Sequence, residues 1–362
     1  MRAAVLTEFG APLSVRELPA VEARPGEVVV DVLATSVPPY AAEVFGGARN
    51  YPLVPPVVPG VGGVGRITHI GPDATRLRVG DLVWCDPTVR SRDDALTPDI
   101  TLQGWSSRGE GGARLAVHLH DGPFAESMRV PTENVFPLPA AAEDDPSRWA
   151  SLGVHVIAYG GLLAGGLAAG ETLLVSGATG NLGSSAVAVA LAMGAGRVVA
   201  PGRNRAALAL LADRFGPRVR TVGLTGDEGA DRAAMSAAAD GPIDMVIDML
   251  PPSAPSSVAR TAAMTVREYG RVVLMGGVGM LSGDDLALPY PWIMRNSVTV
   301  RGQWMYPRTA NTGIIRLLAA GAPDLTPERV RCFPLDAVNE AVAYAAVHGG
   351  PFDRTVLTPS AG

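Results

Sequence analysis

Short runs of apolar residues separated by turn residues fill the first part of the chain, up to about residue 146. Three of these runs, at 28–30, 63–67 and 80–84, have the length and composition of strands. Proline and glycine recur between the runs, which favours a barrel-like, β-rich domain with tight corners. Residues 86–122 are rich in Asp, Arg, Ser and Gly and predict a long loop, which inside a compact domain is usually functional or mobile.

The pattern changes after Trp149, where strand and helix signals alternate as far as about residue 303. Buried apolar runs predict strands at 171–176, 197–200, 244–248, 270–275 and 298–302. Alanine-rich stretches predict helices at 184–193, 205–214 and 337–346. Strand–helix alternation predicts a parallel sheet with helices on both faces, so the fold class is α/β, with a doubly wound sheet beside the β-rich domain.

Composition removes several classes of chemistry. All 30 basic side chains are arginine, so lysine Schiff bases and the lysine-dependent phosphate loops are excluded. The net charge is −5 and no basic run occurs, so neither nucleic acid nor a membrane is an expected partner. The two cysteines, Cys85 and Cys332, are far apart, which predicts a reducing compartment and no cysteine-rich zinc site.

Targeting and membrane segments are not expected. Polar residues interrupt any apolar core at the N-terminus, so no signal peptide is predicted and the expected location is cytoplasmic. The stretch 152–170 is long enough to test as a membrane span, but it contains six glycines and His155. Glycine at that density weakens a helix, so we interpret the stretch as a buried helix followed by a turn.

The strongest local motif is Ala-Thr-Gly-Asn-Leu-Gly at 178–183, which follows a predicted strand and opens a predicted helix. Gly180 would let the backbone approach a pyrophosphate, and Gly183 would let the helix pack against the strand. The helix N-terminus would offer N–H groups and a positive dipole end to the phosphates. The motif therefore predicts dinucleotide binding by Thr179, Gly180, Asn181, Leu182 and Gly183.

The end of the second strand bears on the choice between NADH and NADPH. A carboxylate that binds the ribose is usual there, roughly 20 residues after the glycine loop. The chain has Pro-Gly-Arg-Asn-Arg at 201–205, with no carboxylate at Gly202 and with guanidinium groups at Arg203 and Arg205. Arginine suits a 2′-phosphate, so we predict NADPH as the cofactor; the alternative is that both arginines are solvated loop charges.

The whole chain resembles the medium-chain dehydrogenase/reductase superfamily, and within it the zinc-free, quinone-oxidoreductase-like branch. The resemblance is carried by the cofactor loop and by segments at 1–5, 25–28, 60–71, 80–83, 270–273 and 350–356. It implies a GroES-like catalytic domain at 1–146 with 304–362, and a Rossmann NADP-binding domain at 147–303. It also implies cofactor contacts after the later strands, at Met249, Leu250, Gly276, Gly277 and Val278.

Two departures from the zinc-dependent members of this superfamily concern metal ligands. Pro38 and Pro39 stand where those relatives have a cysteine, and Val61 and Gly62 stand in place of a His-Glu pair. These side chains cannot ligate a metal, and catalytic zinc needs three protein ligands, so no metal is expected. The resemblance also shows Ile157 in place of a common threonine near the nicotinamide.

A site without zinc lacks the Lewis acid that polarises an alcohol or ketone oxygen. Hydride addition to an enone or quinone needs less help, because hydrogen-bond donors can stabilise the charge that spreads onto an enolate oxygen. Tyr40, beside the lost ligand position, and Tyr51 are the candidate proton donors; pocket walls are the alternative role, and water or the substrate could supply the proton instead.

The expected function is therefore NADPH-dependent, metal-free hydride transfer to an activated C=C bond or a quinone, a small-molecule substrate. The alternatives are a zinc-independent alcohol or carbonyl dehydrogenase and an NADPH-binding protein without activity. The predicted edge strand at 297–303 suggests a homodimer, and the aromatic-rich segment 290–306 fits an interface, a pocket wall or core. Trp105 could cover the pocket or lie exposed in its loop.

Overall fold

The structure is a computed structural model that describes residues 1–281, 283–322, 325, 327 and 329–360. Its contacts divide the chain into two compact units. The first contains Met1–Gly153, Pro327–Gly349 and Asp353–Gly362, and the second contains Val154–Thr326 and Gly350–Phe352. The last two residues of the predicted 304–362 segment lie outside the described residues.

The first unit is β-rich, as its apolar runs predict. Its strands are β1 (Arg2–Val5), β2 (Ser14–Glu17), β3 (Glu27–Ser36), β4 (Gly63–Ile70), β5 (Leu82–Cys85), β6 (Thr88–Arg90), β7 (Ile100–Leu102), β8 (Ser106–Arg108), β9 (Ser127–Pro131), β10 (Val135–Pro137), β17 (Arg329–Pro334) and β18 (Asp353–Thr358). Its helices are α1 (Ala41–Phe45), α2 (Gly109–His118), α3 (Pro146–Trp149) and α11 (Val338–His348).

One sheet organises this unit, in the order β10-β5-β4-β3-β18-β17, with β9 also paired to β3. Strand β3 is long enough to pair with three others, and its alternate residues Val28, Val30 and Val32 point into a core with Ile67 and Met128. The predicted β-rich, GroES-like architecture is confirmed.

The second unit alternates strands and helices. Its strands are β11 (Thr172–Ser176), β12 (Arg197–Gly202), β13 (Val219–Gly223), β14 (Ile243–Asp248), β15 (Val266–Leu274) and β16 (Thr299–Gly302). Its helices are α4 (Leu152–Ala164), which begins two residues before the unit does, and α5 (Asn181–Ala192), α6 (Arg205–Phe215), α7 (Glu228–Ala239), α8 (Ser256–Ala263), α9 (Tyr290–Arg295) and α10 (Thr309–Ala319).

These six strands form one parallel sheet in the order β13-β12-β11-β14-β15-β16. The chain order reverses between β11 and β14, and ligands of doubly wound folds bind outside the carboxyl ends of the strands at such a reversal. The predicted Rossmann sheet is thus confirmed. No helix within the described ranges is both long and apolar enough to cross a membrane.

The segment 86–122 differs from the long loop that its composition predicts. It folds into a three-stranded sheet, β6-β7-β8, followed by helix α2. The reason is visible in burial: residues of β7 are buried on both faces, so this short run forms a strand despite the polar residues around it. His118 is the last residue of this helix.

The boundaries of the units also differ from the predicted domain boundaries at 146/147 and 303/304. Helix α10 belongs to the second unit. A side chain at Gly313 of α10 would lie 2.5 Å from the Tyr159 hydroxyl of α4, and one at Gly160 would lie 2.3 Å from Tyr306. These close approaches through glycine pack the 304–319 segment tightly onto α4.

Three residues near the C-terminus complete the second unit. Phe352 is fully buried there, with its ring 5.6 Å from that of Phe215 and 4.2 Å below the guanidinium of Arg214. The Asn181 amide Nδ2 donates to the Gly350 carbonyl at 3.4 Å. Residues 350–352 are thus part of the packing around the first turn of α5.

Candidate active site

The turn from β11 into α5 has the geometry of a phosphate-binding loop. Gly177 has φ +81°, and the helix begins at Asn181 after Gly180, whose extended backbone has no side chain to cap it. A Cβ at Gly183 would lie 2.0 Å from the Gly177 carbonyl oxygen, so only glycine fits. The predicted residues Thr179, Gly180, Asn181, Leu182 and Gly183 therefore lie together, with the amide N–H groups of the first turn directed out of the helix end.

The end of β12 explains the missing carboxylate. Gly202 is buried, and a Cβ added there would lie 2.4 Å from the Thr179 methyl group, so Thr179 fills the space where an acidic side chain would begin. Arg203 and Arg205 are exposed on the following residues. Asn204 between them caps α6, since its side chain accepts a hydrogen bond from the Ala207 N–H at 3.1 Å. The position thus carries two cations and no acid.

The loops after β11, β14 and β15 are tied to one another by backbone hydrogen bonds. The Met249 N–H donates to the Ser176 carbonyl at 3.0 Å, and the Gly277 N–H donates to the Leu250 carbonyl at 2.8 Å. Met249 is buried and Leu250 is partly buried. The structure therefore places the predicted contacts Met249, Leu250, Gly276, Gly277 and Val278 at the same sheet edge as the phosphate loop.

Asp248, the last residue of β14, is an acid at this edge that the sequence marked only as a strand end. It is 4% exposed, and its Oδ1 has no hydrogen-bond partner among the described residues. Burial raises the pKa of this carboxyl to about 6, although the Ser176 hydroxyl and the N–H groups of Leu250 and Gly276 act in the opposite direction. A Cβ at Gly276 would touch Asp248 Oδ2 at 2.2 Å, so this glycine leaves room for the carboxylate.

The two predicted proton donors are found in the first unit, on and after the short helix α1. Tyr40 is the N-cap residue of α1 and is partly buried. The Arg49 guanidinium lies 4.5 Å from the Tyr40 ring centroid, and its Nε donates to Glu43 at 2.7 Å. Arg49 also lies within hydrogen-bonding reach of the Tyr51 hydroxyl. The structure thus brings Tyr40 and Tyr51 together around one cation that the sequence analysis missed.

Both phenols are held in their protonated form. Burial is the main cause that raises the pKa of Tyr40, and the neighbouring Tyr51 adds to it. Burial also raises the pKa of Tyr51, while Arg49 opposes that effect for both residues. Each hydroxyl is protonated at neutral pH, as an ordinary phenol is, and can donate a hydrogen bond; the raised pKa makes loss of the proton harder unless a cation such as Arg49 stabilises the tyrosinate.

Trp105 packs against this cluster. It is 2% exposed, so of the two roles expected for it, a cover of the pocket and an exposed loop residue, the second is wrong. Its ring meets that of Tyr40 edge-on at 6.0 Å and that of Phe45 at 5.7 Å. The turn between β7 and β8 holds it there, with the Trp105 N–H bonded to the Leu102 carbonyl at 2.8 Å.

The positions of the zinc ligands are filled by packing. Pro39 lies against Gly349, where a Cβ would come within 2.3 Å of the proline ring, and a Cβ at Gly62 would come within 2.6 Å of the Cys85 carbonyl oxygen. Within the described ranges, no group of three or more His, Cys, Asp or Glu side chains could hold a metal ion. His155 is buried, with Nε2 bonded to the Leu325 carbonyl and Nδ1 to the Ser185 hydroxyl.

The aromatic-rich segment 290–306 divides between core and surface. Tyr306 is buried beneath α4, and Trp292 packs against the core of the second unit. Tyr290 is 75% exposed and Trp304 is 41% exposed, on either side of β16 in sequence. Strand β16 is an edge of the sheet, and all four of its residues are exposed.

Comparison with known proteins identifies two family matches. The alcohol dehydrogenase GroES-like domain family matches residues 24–140, and the zinc-binding dehydrogenase family matches residues 182–320. An alcohol dehydrogenase of Rhizobium meliloti (strain 1021) is 35% identical over 196 residues, which are 54% of this chain and 55% of that protein. An acryloyl-coenzyme A reductase of Metallosphaera sedula is 31% identical over 204 residues, 55% of this chain and 58% of that protein.

The chain spans little more than half the length of these two curated relatives. Several solved structures match nearly the whole chain. A zinc-binding dehydrogenase of Sinorhizobium meliloti 1021, solved bound to NADP, has a TM-score of 0.77 at 20% identity and covers 99% of both chains. Both units and their order along the chain agree with these matches. The chain belongs to the medium-chain dehydrogenase/reductase superfamily.

Proposed function

We propose that this protein is an NADPH-dependent, metal-free reductase that delivers hydride to an activated C=C bond or to a quinone. The observation that carries the proposal is a pair of replacements. Proline and glycine packing fills the zinc-ligand positions, and two tyrosines stand around Arg49: Tyr40 directly follows Pro39, and Tyr51 lies twelve residues after it. A site built in this way offers proton donors in place of a Lewis acid.

The cofactor would be held by residues of the second unit. The first turn of α5 would bind the pyrophosphate with its amide N–H groups, and Gly202 with Arg203 and Arg205 would accept a 2′-phosphate. The close approach of Gly202 to Thr179 supports NADPH, because it leaves no room for the acid that would bind a 2′-hydroxyl. When bound, NADPH would supply the hydride.

The chain's own residues would stabilise the negative charge that develops on the substrate and supply the proton that completes the reduction. Hydride addition to the β-carbon of an enone moves the C=C electron pair toward the carbonyl oxygen as an enolate. A phenol of Tyr40 or Tyr51 would donate a hydrogen bond to that oxygen and then transfer its proton, and the resulting tyrosinate would be reprotonated from water. Arg49 would stabilise the transient tyrosinate by its charge.

The names of relatives support two substrate classes. One curated relative is an acryloyl-coenzyme A reductase, which favours reduction of an activated C=C bond. Others are alcohol dehydrogenases, which favours the alternative that this chain oxidises an alcohol or reduces a carbonyl group without zinc. Turnover of NADPH with enones and quinones, compared with turnover of NADP⁺ with alcohols, decides between them.

The test is consumption of NADPH and of NADH against a panel of enones, quinones, aldehydes and imines, with the metal content of the purified protein measured in parallel. We expect turnover of NADPH with an enone or quinone and no stoichiometric zinc. Arg203→Gln should raise the KM for NADPH by roughly tenfold and leave that for NADH unchanged, since one charge-assisted hydrogen bond is lost. Stoichiometric zinc, or tighter binding of NADH than NADPH, would contradict the proposal.

We also propose a homodimer that pairs the β16 edges of two copies. The exposed strand carries one apolar side chain, Val300, which is 37% exposed, and Tyr290, Met294 and Trp304, near it in sequence, are exposed as well. An exposed apolar strand edge is a surface that proteins normally cover. Light scattering should give twice the chain mass, and Val300→Arg should give the monomer; a monomeric wild type would refute the pairing.

A further inference from the structure

A cleft in the second unit begins at the phosphate loop and extends to the first turns of α7 and α8. Ser176 and Gly177 line it at the end of β11, and Pro201 lines it at the end of β12. Glu228, the first residue of α7, and Ser257, the second residue of α8, also line it. The cleft therefore adjoins both the predicted pyrophosphate site and the predicted site of the 2′-phosphate.

The base of the proposed cofactor is the group that this cleft would receive. In NADPH the ribose that carries the 2′-phosphate also carries the adenine, so a 2′-phosphate bound at Gly202 brings the adenine to the neighbouring space. Pro201, Leu224 and Val258 give the cleft apolar walls, which suit the faces of a purine ring. The polar side chains that line the cleft then decide which edge of a purine is recognised.

Two of these polar side chains are already occupied by hydrogen bonds within the chain. Asp231 Oδ1 accepts from the Thr225 N–H at 2.8 Å and from the Thr225 hydroxyl at 2.7 Å, and Asp231 Oδ2 accepts from the Gly226 N–H at 3.0 Å. The Thr261 hydroxyl donates to the Ser257 carbonyl at 2.8 Å. Asp231 and Thr261 thus shape the cleft rather than recognise a ligand in it.

Glu228 differs from the other polar residues of the cleft because its carboxylate can only accept. The hydroxyls of Ser176 and Ser257 can donate or accept, so they fit either kind of purine edge. The Glu228 side chain is 37% exposed, and its Oε2 lies 3.6 Å from Nη1 of Arg260 in α8. That distance is too long for a hydrogen bond, so the ion pair leaves the carboxylate able to accept from another donor.

We propose that Glu228 recognises the base of the cofactor by accepting a hydrogen bond from the 6-amino group of adenine. The inference rests on the proposed NADPH-dependent function and adds a residue that determines which dinucleotide is bound. A purine with a 6-oxo group, such as hypoxanthine, would place an acceptor against the carboxylate, and two acceptors repel each other. The cleft therefore favours adenine over a 6-oxopurine.

The test compares the affinities of the full chain for NADPH and for its hypoxanthine analogue, deamino-NADPH, measured by cofactor fluorescence without any substrate. The two ligands differ only at the 6-amino edge of the purine, so the phosphate contacts cancel in the ratio of their Kd values. We expect wild type to bind the hypoxanthine analogue roughly tenfold more weakly. Glu228→Gln should bring the two Kd values within about twofold, because a carboxamide can turn to accept from a 6-amino group or donate to a 6-oxo group.

Two further variants separate recognition of the base from the placement of the helices. Arg260→Gln removes the ion pair between α7 and α8 but keeps the Glu228 carboxylate, so the ratio of Kd values should not fall. Glu110→Gln is the matched control, because it removes an acid from the first turn of α2 in the first unit. This variant makes an equal change in charge at a helix start and should leave the ratio unchanged.

The possible outcomes distinguish this role from the proposed function. Equal Kd values for the two dinucleotides in wild type would refute the role of Glu228 while NADPH binding, and with it the proposed function, stands. Loss of the ratio in Arg260→Gln as well as in Glu228→Gln would also refute the role, since the ratio would then depend on how the helices pack. If wild type binds neither dinucleotide, the proposed function itself fails, and the role of Glu228 fails with it.

Discussion

Asp248→Asn is expected to stabilise the second unit at neutral pH. The substitution keeps the size and shape of the side chain but removes its charge. In the native protein this carboxyl is 4% exposed and one of its oxygens has no partner among the described residues, so its ionised form is poorly solvated. An amide at this position is not subject to that desolvation penalty.

The pKa of Asp248 gives the size of the effect. Burial raises this pKa from the ordinary 3.8 to about 6. Between pH 3.8 and about pH 6, the folded chain therefore keeps a proton on Asp248 that the unfolded chain has released. The folded state therefore loses stability as pH rises through this window. The loss is about 3 kcal/mol at pH 7 and about half of that at pH 5, from 1.36 kcal/mol per pKa unit.

Urea unfolding of wild type and variant at pH 5, 6 and 7 measures this difference directly. The advantage of Asp248→Asn should grow by about 1 kcal/mol or more between pH 5 and pH 7. Asp213→Asn, an equal charge change on the exposed face of α6, is the control and should show no such trend. A stability difference that is independent of pH would refute the reasoning, since it would mean that Asp248 is already ionised without cost at pH 5.

Three further predictions concern Gly183 of the phosphate loop, the buried His155, and the ion pair of His120 with Asp121. Gly183→Ala should weaken NADPH binding between about 5- and 150-fold in a titration of cofactor fluorescence, because the new methyl group meets the Gly177 carbonyl at 2.0 Å; unchanged affinity would show that the loop does not bind the cofactor. His155→Leu should lower the free energy of unfolding by about 2–4 kcal/mol at every pH from 6 to 8, since it leaves the buried Ser185 hydroxyl without the imidazole; a loss below about 1 kcal/mol would contradict this. The hydrogen bond to Asp121 raises the pKa of His120, so the pair stabilises the fold below the ordinary value of 6.5, and this contribution is lost as pH rises through the raised pKa. His120→Gln should therefore cost up to about 1 kcal/mol at pH 5.5 and almost nothing at high pH, and the opposite trend would exclude the ion pair.

The sequence predicted the second unit well because its elements have strong local signals. Continuous apolar runs of five or six residues become the buried strands of a parallel sheet, and the glycine loop between the first strand and its helix is read directly from residue types. Strand β13 and helices α7 and α8 were missed, since β13 contains Arg and Thr and the two helices carry few bulky apolar residues. Strand β13 and helix α7 pack against β12, whereas α8 packs against α7 and β11.

The tyrosine cluster could be predicted only in part. Tyr40 and Tyr51 were expected from their distance to the zinc-ligand positions, but the contact of Arg49 with the Tyr40 ring joins residues nine positions apart through the turn at Gly47, whose φ is +80°. Trp105 comes from a segment whose polar composition concealed three strands and a helix. The burial of Asp248 could not be predicted either, because an acid at the end of a strand is exposed in most folds and is buried here by the neighbouring loops.

The tripeptide Gly350–Phe352 has a consequence for how the nucleotide-binding unit is made. Its packing against Phe215 and its hydrogen bond to Asn181 join residues separated by more than a hundred positions. During synthesis, the phosphate loop emerges long before the residues that complete its surroundings. The unit therefore cannot be excised as one continuous piece of 154–326, and a chain cut at residue 349 would lose a buried aromatic anchor beside its cofactor loop although every strand of that sheet remained.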